Sequence, residues 1–188
     1  MTNEQIIWNF LSAKINNQYG TAALMGNLFA ESSLKPVLAN NVKKKTGLTN
    51  EQYTSAVDSG SYTSFNTDGI AYGLAQWCYH TRKEGLYNKA KAKNKSIGDI
   101  NIQLEYLWEE LQKYKTVITA LTSAKNVREA SDVVLVKYEK PATQTESVKV
   151  MRAKYGQKYY DKYAKPDNKI NLTISAIMAR EILRSLKE

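Results

Sequence analysis

Between Thr21 and Phe29 the chain carries Ala22, Ala23, Leu24, Met25, Leu28 and Phe29, which makes this segment apolar on almost every side of a helix. A helix without a broad polar face has to be enclosed by the rest of the fold. The segment therefore predicts a central helix, capped at Thr21 and ending near Glu31-Ser32-Ser33, because Pro36 forbids much continuation. Only 3 Pro and 9 Gly interrupt the 188 residues, which favours long helices over a many-stranded sandwich. That length suffices for one domain with its own core, or one domain plus a short tail.

Helical patterns flank the central segment. Thr2 and Gln5 form a capping box ahead of Ile6, Ile7, Phe10 and Leu11, and this first helix runs to about Asn16. Residues 34–72 are rich in Ser, Thr, Asn, Asp and Gly and read as a small irregular lobe. Within it, Thr49 and Gln52 form a second capping box, and residues 61–65 suit a short strand. Helices are then expected over 82–92, from Ser96 and Asp99 through Leu111, from Asn126 and Glu129 to the stop at Pro141, and over 147–163. Pro166-Asp167-Asn168 is a break. The division predicted is one domain over 1–165 and an amphipathic helix or linker over 166–188.

The formal charge of +9 suggests a polyanionic partner, either nucleic acid or a bacterial wall with its teichoic acids and carboxylated peptides. The local clusters at residues 43–45 and 89–95 lack the aromatic interleaving of a nucleic-acid groove, and no helix-turn-helix pattern is present, so nucleic-acid binding is not expected. A single cysteine, Cys78, and a single histidine, His80, cannot make an intrachain disulfide or a Cys/His metal site. They lie two residues apart with no evident Asn or Asp partner, which argues against a cysteine protease. Neither a metal nor a cofactor is expected. The polar start, Met1-Thr2-Asn3-Glu4, has no signal-peptide pattern, and no apolar run reaches membrane-spanning length, so no membrane insertion is expected. A protein of this kind working outside a cell would need another route of delivery.

Glu31 is the first candidate for chemistry. It stands at the C-terminal end of the predicted central helix, among Leu28, Phe29, Ala30 and Leu34. Burial among apolar groups and the negative end of the helix dipole both disfavour an ionised carboxylate there. A carboxyl that keeps its proton near neutral pH is what glycosidic cleavage requires, because the leaving oxygen must be protonated. A helix-terminal Glu that is solvated or paired with a Lys would read the same way in isolation, so its neighbours matter.

Those neighbours are Met25-Gly26-Asn27-Leu28-Phe29-Ala30-Glu31-Ser32-Ser33-Leu34-Lys35-Pro36, followed by Tyr72-Gly73-Leu74-Ala75-Gln76-Trp77. Together they resemble the phage tail lysozyme family. More distantly they resemble the Glu-Ser and Gly-Leu-Met-Gln motifs of goose-type lysozymes and soluble lytic transglycosylases. The close resemblance covers about residues 5–160. It implies a mostly α, lysozyme-like α+β fold, in which a helical body and the irregular lobe form a substrate cleft. It also implies a muramidase acting on peptidoglycan glycan strands in the bacterial cell wall, carried on a virion or released by lysis machinery.

By that resemblance Glu31 is the general acid, Ser32 shapes its turn, and Gly73, Leu74 and Gln76 form the facing turn, with Gln76 bonding substrate. Tyr72 and Trp77, with Tyr62, Phe65 and Tyr79, are candidate aromatic walls for sugar rings, although Leu74 and Trp77 equally suit a core corner. Tyr138 and Glu139, in Tyr138-Glu139-Lys140-Pro141, are expected near the cleft: Tyr138 against Glu31 or a sugar hydroxyl, Glu139 against Arg152 or substrate. Asp68 is the candidate second carboxylate, placed to orient water in an inverting hydrolase, yet Asp68-Gly69 also reads as a plain turn. Without a second carboxylate, Glu31 acting alone would give 1,6-anhydro products, the transglycosylase outcome. A wall-binding or structural module that keeps the fold without the chemistry is the alternative from another class.

Overall fold

The computed structural model describes residues 1–164. Among them nine α-helices follow one another: α1 (Asn3–Ile15), α2 (Gln18–Ser32), α3 (Val42–Thr46), α4 (Asn50–Ser59), α5 (His80–Ala92), α6 (Ile100–Leu111), α7 (Lys115–Thr122), α8 (Val127–Val134) and α9 (Glu146–Tyr163), with a π-helical turn over Leu135–Glu139. Extended pairing among the described residues is limited to the isolated bridges Ala39–Tyr72 and Tyr72–Trp77. The mostly α fold expected from sequence is what the chain adopts. The expected terminal helix or linker beyond residue 164 lies outside the described residues.

α2 is the central element. Every residue from Gly20 to Leu28 is buried, and the helix packs chiefly against α9 and α8, with α1 and α7 completing its surround. α9 comes unusually close. A Cβ on Gly26 would stand 2.3 Å from the backbone nitrogen of Gly156, and one on Gly156 would stand 2.9 Å from the carbonyl oxygen of Ala22. The absence of a side chain on both helices lets their backbones touch. The tyrosine row of α9 is packing material: Tyr163 stacks on Trp8 at 5.0 Å, Tyr160 stacks on Tyr19 at 4.4 Å, and Tyr155 meets Phe29 edge-on at 4.8 Å.

The capping boxes at Thr2/Gln5 and Thr49/Gln52 both form. α2, however, starts earlier than expected. Asn17 is its cap, accepting from the Gly20 amide, and Thr21 lies buried inside the helix. Asp99 caps α6 in place of Ser96. The strand expected over residues 61–65 is absent. The Tyr62 amide donates back to the Ala56 carbonyl at the end of α4, and Phe65 turns into the core. α3 and α7 were not expected. α7 is rich in β-branched residues, and only Val117 and Leu121, one helical turn apart, betray its buried stripe.

Candidate active site

Glu31 is on the last turn of α2, whose C-cap Ser33 adopts the left-handed conformation at φ 52°. Its side chain is 20% exposed. The isolation expected from sequence is not found. Arg152 of α9 donates through Nη2 to Glu31 Oε1, and through Nη1 to the backbone oxygen and Oδ1 of Asn27, each at 3.4 Å. Asn27 is itself fixed, its Nδ2 donating to Ala23 O at 2.9 Å and to Ser131 Oγ at 3.0 Å. The Glu31 carboxyl is therefore paired with a guanidinium, which offers hydrogen-bond donors only.

Ser32 joins this helix end to the glutamine turn. Its hydroxyl donates to Leu28 O at 3.1 Å and to Leu74 O at 2.9 Å. The turn is braced from behind by Gln103 of α6. Gln103 Oε1 accepts from the Leu74 amide at 2.8 Å, and Nε2 donates to Pro36 O at 2.6 Å and Ile97 O at 2.8 Å. Gly73 (φ 76°) and Gln76 (φ 46°) both lie in the left-handed region, which is unfavourable for a glutamine. Gln76 Nε2 is committed to the loop itself, donating to Gly73 O at 2.9 Å and Leu38 O at 3.1 Å. Three residues of this segment are packed inward: Tyr72, Leu74 and Trp77 are each fully enclosed. Tyr72 shares a hydrogen bond with Thr54, 2.7 Å apart, and Trp77 donates to Glu110 at 2.9 Å. For any of the three to touch a ligand, the side chain would have to leave the core; of the other expected aromatic walls, Phe65 is buried, Tyr62 is half-buried and Tyr79 is exposed.

Behind the turn lies a buried polar cluster. α8 does not run on to Pro141 as a regular helix; it widens into the π-helical turn and ends at Lys140 in the left-handed conformation (φ 47°). Such a turn re-aims the side chains that follow it. Tyr138 donates to Glu110 Oε2 at 2.5 Å, and not to Glu31 as one expectation had it. Arg82 binds both oxygens of Glu110, at 2.6 Å and 2.8 Å. Burial alone pushes Glu110 up, but the bonds and charge of Arg82, joined by Tyr138 and Trp77, outweigh it and hold the carboxyl below the usual range. Glu139 is in the opposite situation. Burial, and then the negative charge of Glu31, push its carboxyl up to about 8, against partial relief from Arg152 and Arg82. Its Oε1 is buried and has no hydrogen-bond partner among the described residues.

Asp68 stands apart from this cluster in the lobe, with both oxygens engaged. Oδ1 accepts from Lys83 Nζ at 2.5 Å and the Ile70 amide at 2.8 Å, while Oδ2 accepts from Tyr53 at 2.5 Å and Tyr62 at 3.2 Å. Its side chain is 6% exposed and that of Lys83 is fully buried. Burial pushes the Lys83 ammonium down, and Asp68 only partly offsets this. The group pins the lobe to α5.

The pattern of the phage tail lysozyme family matches residues 2–163, nearly the whole described chain. The chain belongs to the phage tail lysozyme family. This is a lysozyme assignment, and with it comes lytic action on peptidoglycan. No curated protein sequence matches the chain. No helix among the described residues is long and apolar enough to cross a membrane.

In this family member the structure gathers Glu31, Ser32 and the 73–77 turn at one helix end, with Tyr138 and Glu139 arriving from the π-helical turn. Asp68 is not part of that group. The residues that sequence reasoning missed are Arg82, Lys83, Gln103 and Glu110; Arg152 was named only as a partner for Glu139. Three of these four had a faint signal. Lys83 shares a face with Leu86 and Ala90, and Gln103 and Glu110 share one with Leu107. A polar residue in step with an apolar stripe is placed to brace a buried polar group.

Proposed function

We propose that the chain is an endo-acting muramidase that cuts between N-acetylmuramic acid and N-acetylglucosamine, with Glu31 as general acid. The observation that carries this reading is selective exposure. Asp68 is 6% exposed and Glu110 5%, both tied by hydrogen bonds on each oxygen, whereas Glu31 at 20% keeps an open edge beside the Ser32–Leu74 junction. A proton donor must reach the glycosidic oxygen, and Glu31 has that access. The cleft in this reading runs between the helix end and the lobe. Gln76 meets a sugar hydroxyl through Oε1, since its Nε2 is held by the loop, and the exposed ring of Tyr79 offers a flat apolar face. Ser32, Gly73, Leu74 and Trp77 set the shape of the site from inside. A basic chain suits an anionic wall, whether a phage tail carries the enzyme there or lysis of the host releases it.

The fate of the sugar after the bond breaks has two readings. A hydrolase needs an activated water. The four hydrogen bonds on Asp68 favour the second reading, in which no separate carboxylate activates water and the muramyl residue closes on itself as a 1,6-anhydro sugar. Digestion of purified walls followed by mass spectrometry of the fragment ends separates them. Reducing N-acetylmuramic acid ends support hydrolysis and anhydro ends support transglycosylation. Fragments cut only in the peptide stems would refute glycan cleavage altogether.

A further inference from the structure

Arg152 leaves Glu31 with a difficulty that the residues around it answer. The acid of a glycosidase must carry a proton, yet the partner bonded to Glu31 is a guanidinium, which has donors only and accepts no proton from it. Two buried atoms nearby have no hydrogen-bond partner among the described residues: Arg152 Nε, a donor, and Glu139 Oε1, an acceptor. Buried polar atoms are nearly always satisfied, and those that are not call for an explanation.

We infer that Arg152 has two alternative carboxyl partners, Glu31 and Glu139, and that Glu139 is the residue from which Glu31 receives its proton. This rests on the reading of Glu31 as the acid. In the state described here Arg152 pairs with Glu31, and Glu139 keeps its proton. When the guanidinium shifts its pairing to Glu139, the Glu139 O–H bond breaks, its electron pair stays on Glu139, and an O–H bond forms on Glu31. Two carboxyls, one guanidinium and one proton sum to zero charge before and after, so the exchange moves no net charge into a buried site.

The groups facing Glu139 fit this account. They are Glu31 from α2, Arg82 from α5, Glu110 from α6 and Arg152 from α9. Arg82 is committed to Glu110 by two bonds, which leaves Arg152 as the cation that Glu31 and Glu139 share. Glu139 holds its proton up to about 8, through burial and then the charge of Glu31, so it is loaded at neutral pH. The π-helical turn is what carries it inward, one residue after Tyr138 is anchored on Glu110. Glu139 acts through Glu31 as a positioning and proton-holding residue and touches no substrate.

The test is the rate of wall lysis from pH 4.5 to 9.5 for the native enzyme, Glu139→Gln, Glu139→Asp and Glu31→Gln. The native rate is expected to fall as pH passes about 8, where Glu139 loses its proton. In Glu139→Gln the guanidinium stays on Glu31 and no proton is supplied, so the fall near pH 8 disappears and the rate at pH 7.5 drops about tenfold or more. Glu139→Asp recovers part of the neutral activity. A Glu139→Gln profile of native shape, or a native rate that stays flat through pH 9.5, would overturn the inference, and the second result needs no variant to fold. Glu31→Gln separates the two levels: activity retained there overturns the acid assignment itself, whereas an inactive Glu31→Gln with a Glu139→Gln profile of native shape overturns only the proton supply.

Discussion

Glu110 accepts hydrogen bonds from Trp77, Tyr138 and two Arg82 nitrogens, so a single side chain satisfies three neighbours, two of them buried. Removing one partner of such a group strands the others. Glu110→Ala should destabilise the fold by about 3–5 kcal/mol in chemical denaturation, and a loss below about 1 kcal/mol would mean that water replaces the network. Glu139 makes a prediction of opposite character. An unfolded glutamate ionises near 4.5, while Glu139 in the fold holds its proton to about 8. Between those values the folded chain binds the extra proton, so stability falls as pH rises through the window and levels off above it. Glu139→Gln should remove that slope and melt higher than the native protein at pH 8; parallel melting profiles of the two proteins from pH 5 to 8 would contradict it. At this scale the place of a residue in the fold was legible where it sits in a short motif, as Glu31 and Ser32 do at the end of α2. It was not legible where partners come from distant helices: nothing local to Arg152 says that it meets a residue 121 positions away, and nothing near Asp68 says that Lys83 and two tyrosines will close over it.

Gly26 lies in the same motif as Glu31, and its role is the crossing of α2 and α9. A side chain there meets the backbone of Gly156 and the carbonyl of Arg152, 2.7 Å away, so the helices must part. Gly26→Ala should destabilise by about 1–3 kcal/mol as an overpacking change. It should also lower lytic activity further than that loss explains, because Arg152 rides on the displaced helix. Unchanged melting and unchanged lysis would place the close approach elsewhere. Elements with strong local signals were readable from sequence: two capping boxes and the all-round apolar α2. Elements set by tertiary context were not. α7 has a strand-like composition, yet Val117 and Leu121 pack inward together one helical turn apart, and the π-helical turn has no local signature, its Tyr138 bonding to Glu110 on a distant helix.

The whole molecule brings one partly exposed carboxyl to the end of an enclosed helix, steadied by a lobe pinned through Asp68 and Lys83, on a chain of net charge +9. Attraction between exposed charges is screened within about 8 Å at physiological salt. Wall binding measured by co-sedimentation should therefore weaken steadily as sodium chloride rises, and binding indifferent to salt would remove charge from the account of wall recognition. The identity of the acid is tested most directly by Glu31→Gln. A glutamine keeps an oxygen for Arg152 and so preserves the fold, but it has no proton to give. The measurement is the release of glycan fragments from purified walls, made alongside the melting temperature of the same sample. The account predicts native melting within a few degrees and release reduced by about a hundredfold or more, the lower end of a general-acid contribution. Native-like release from a folded Glu31→Gln would contradict it.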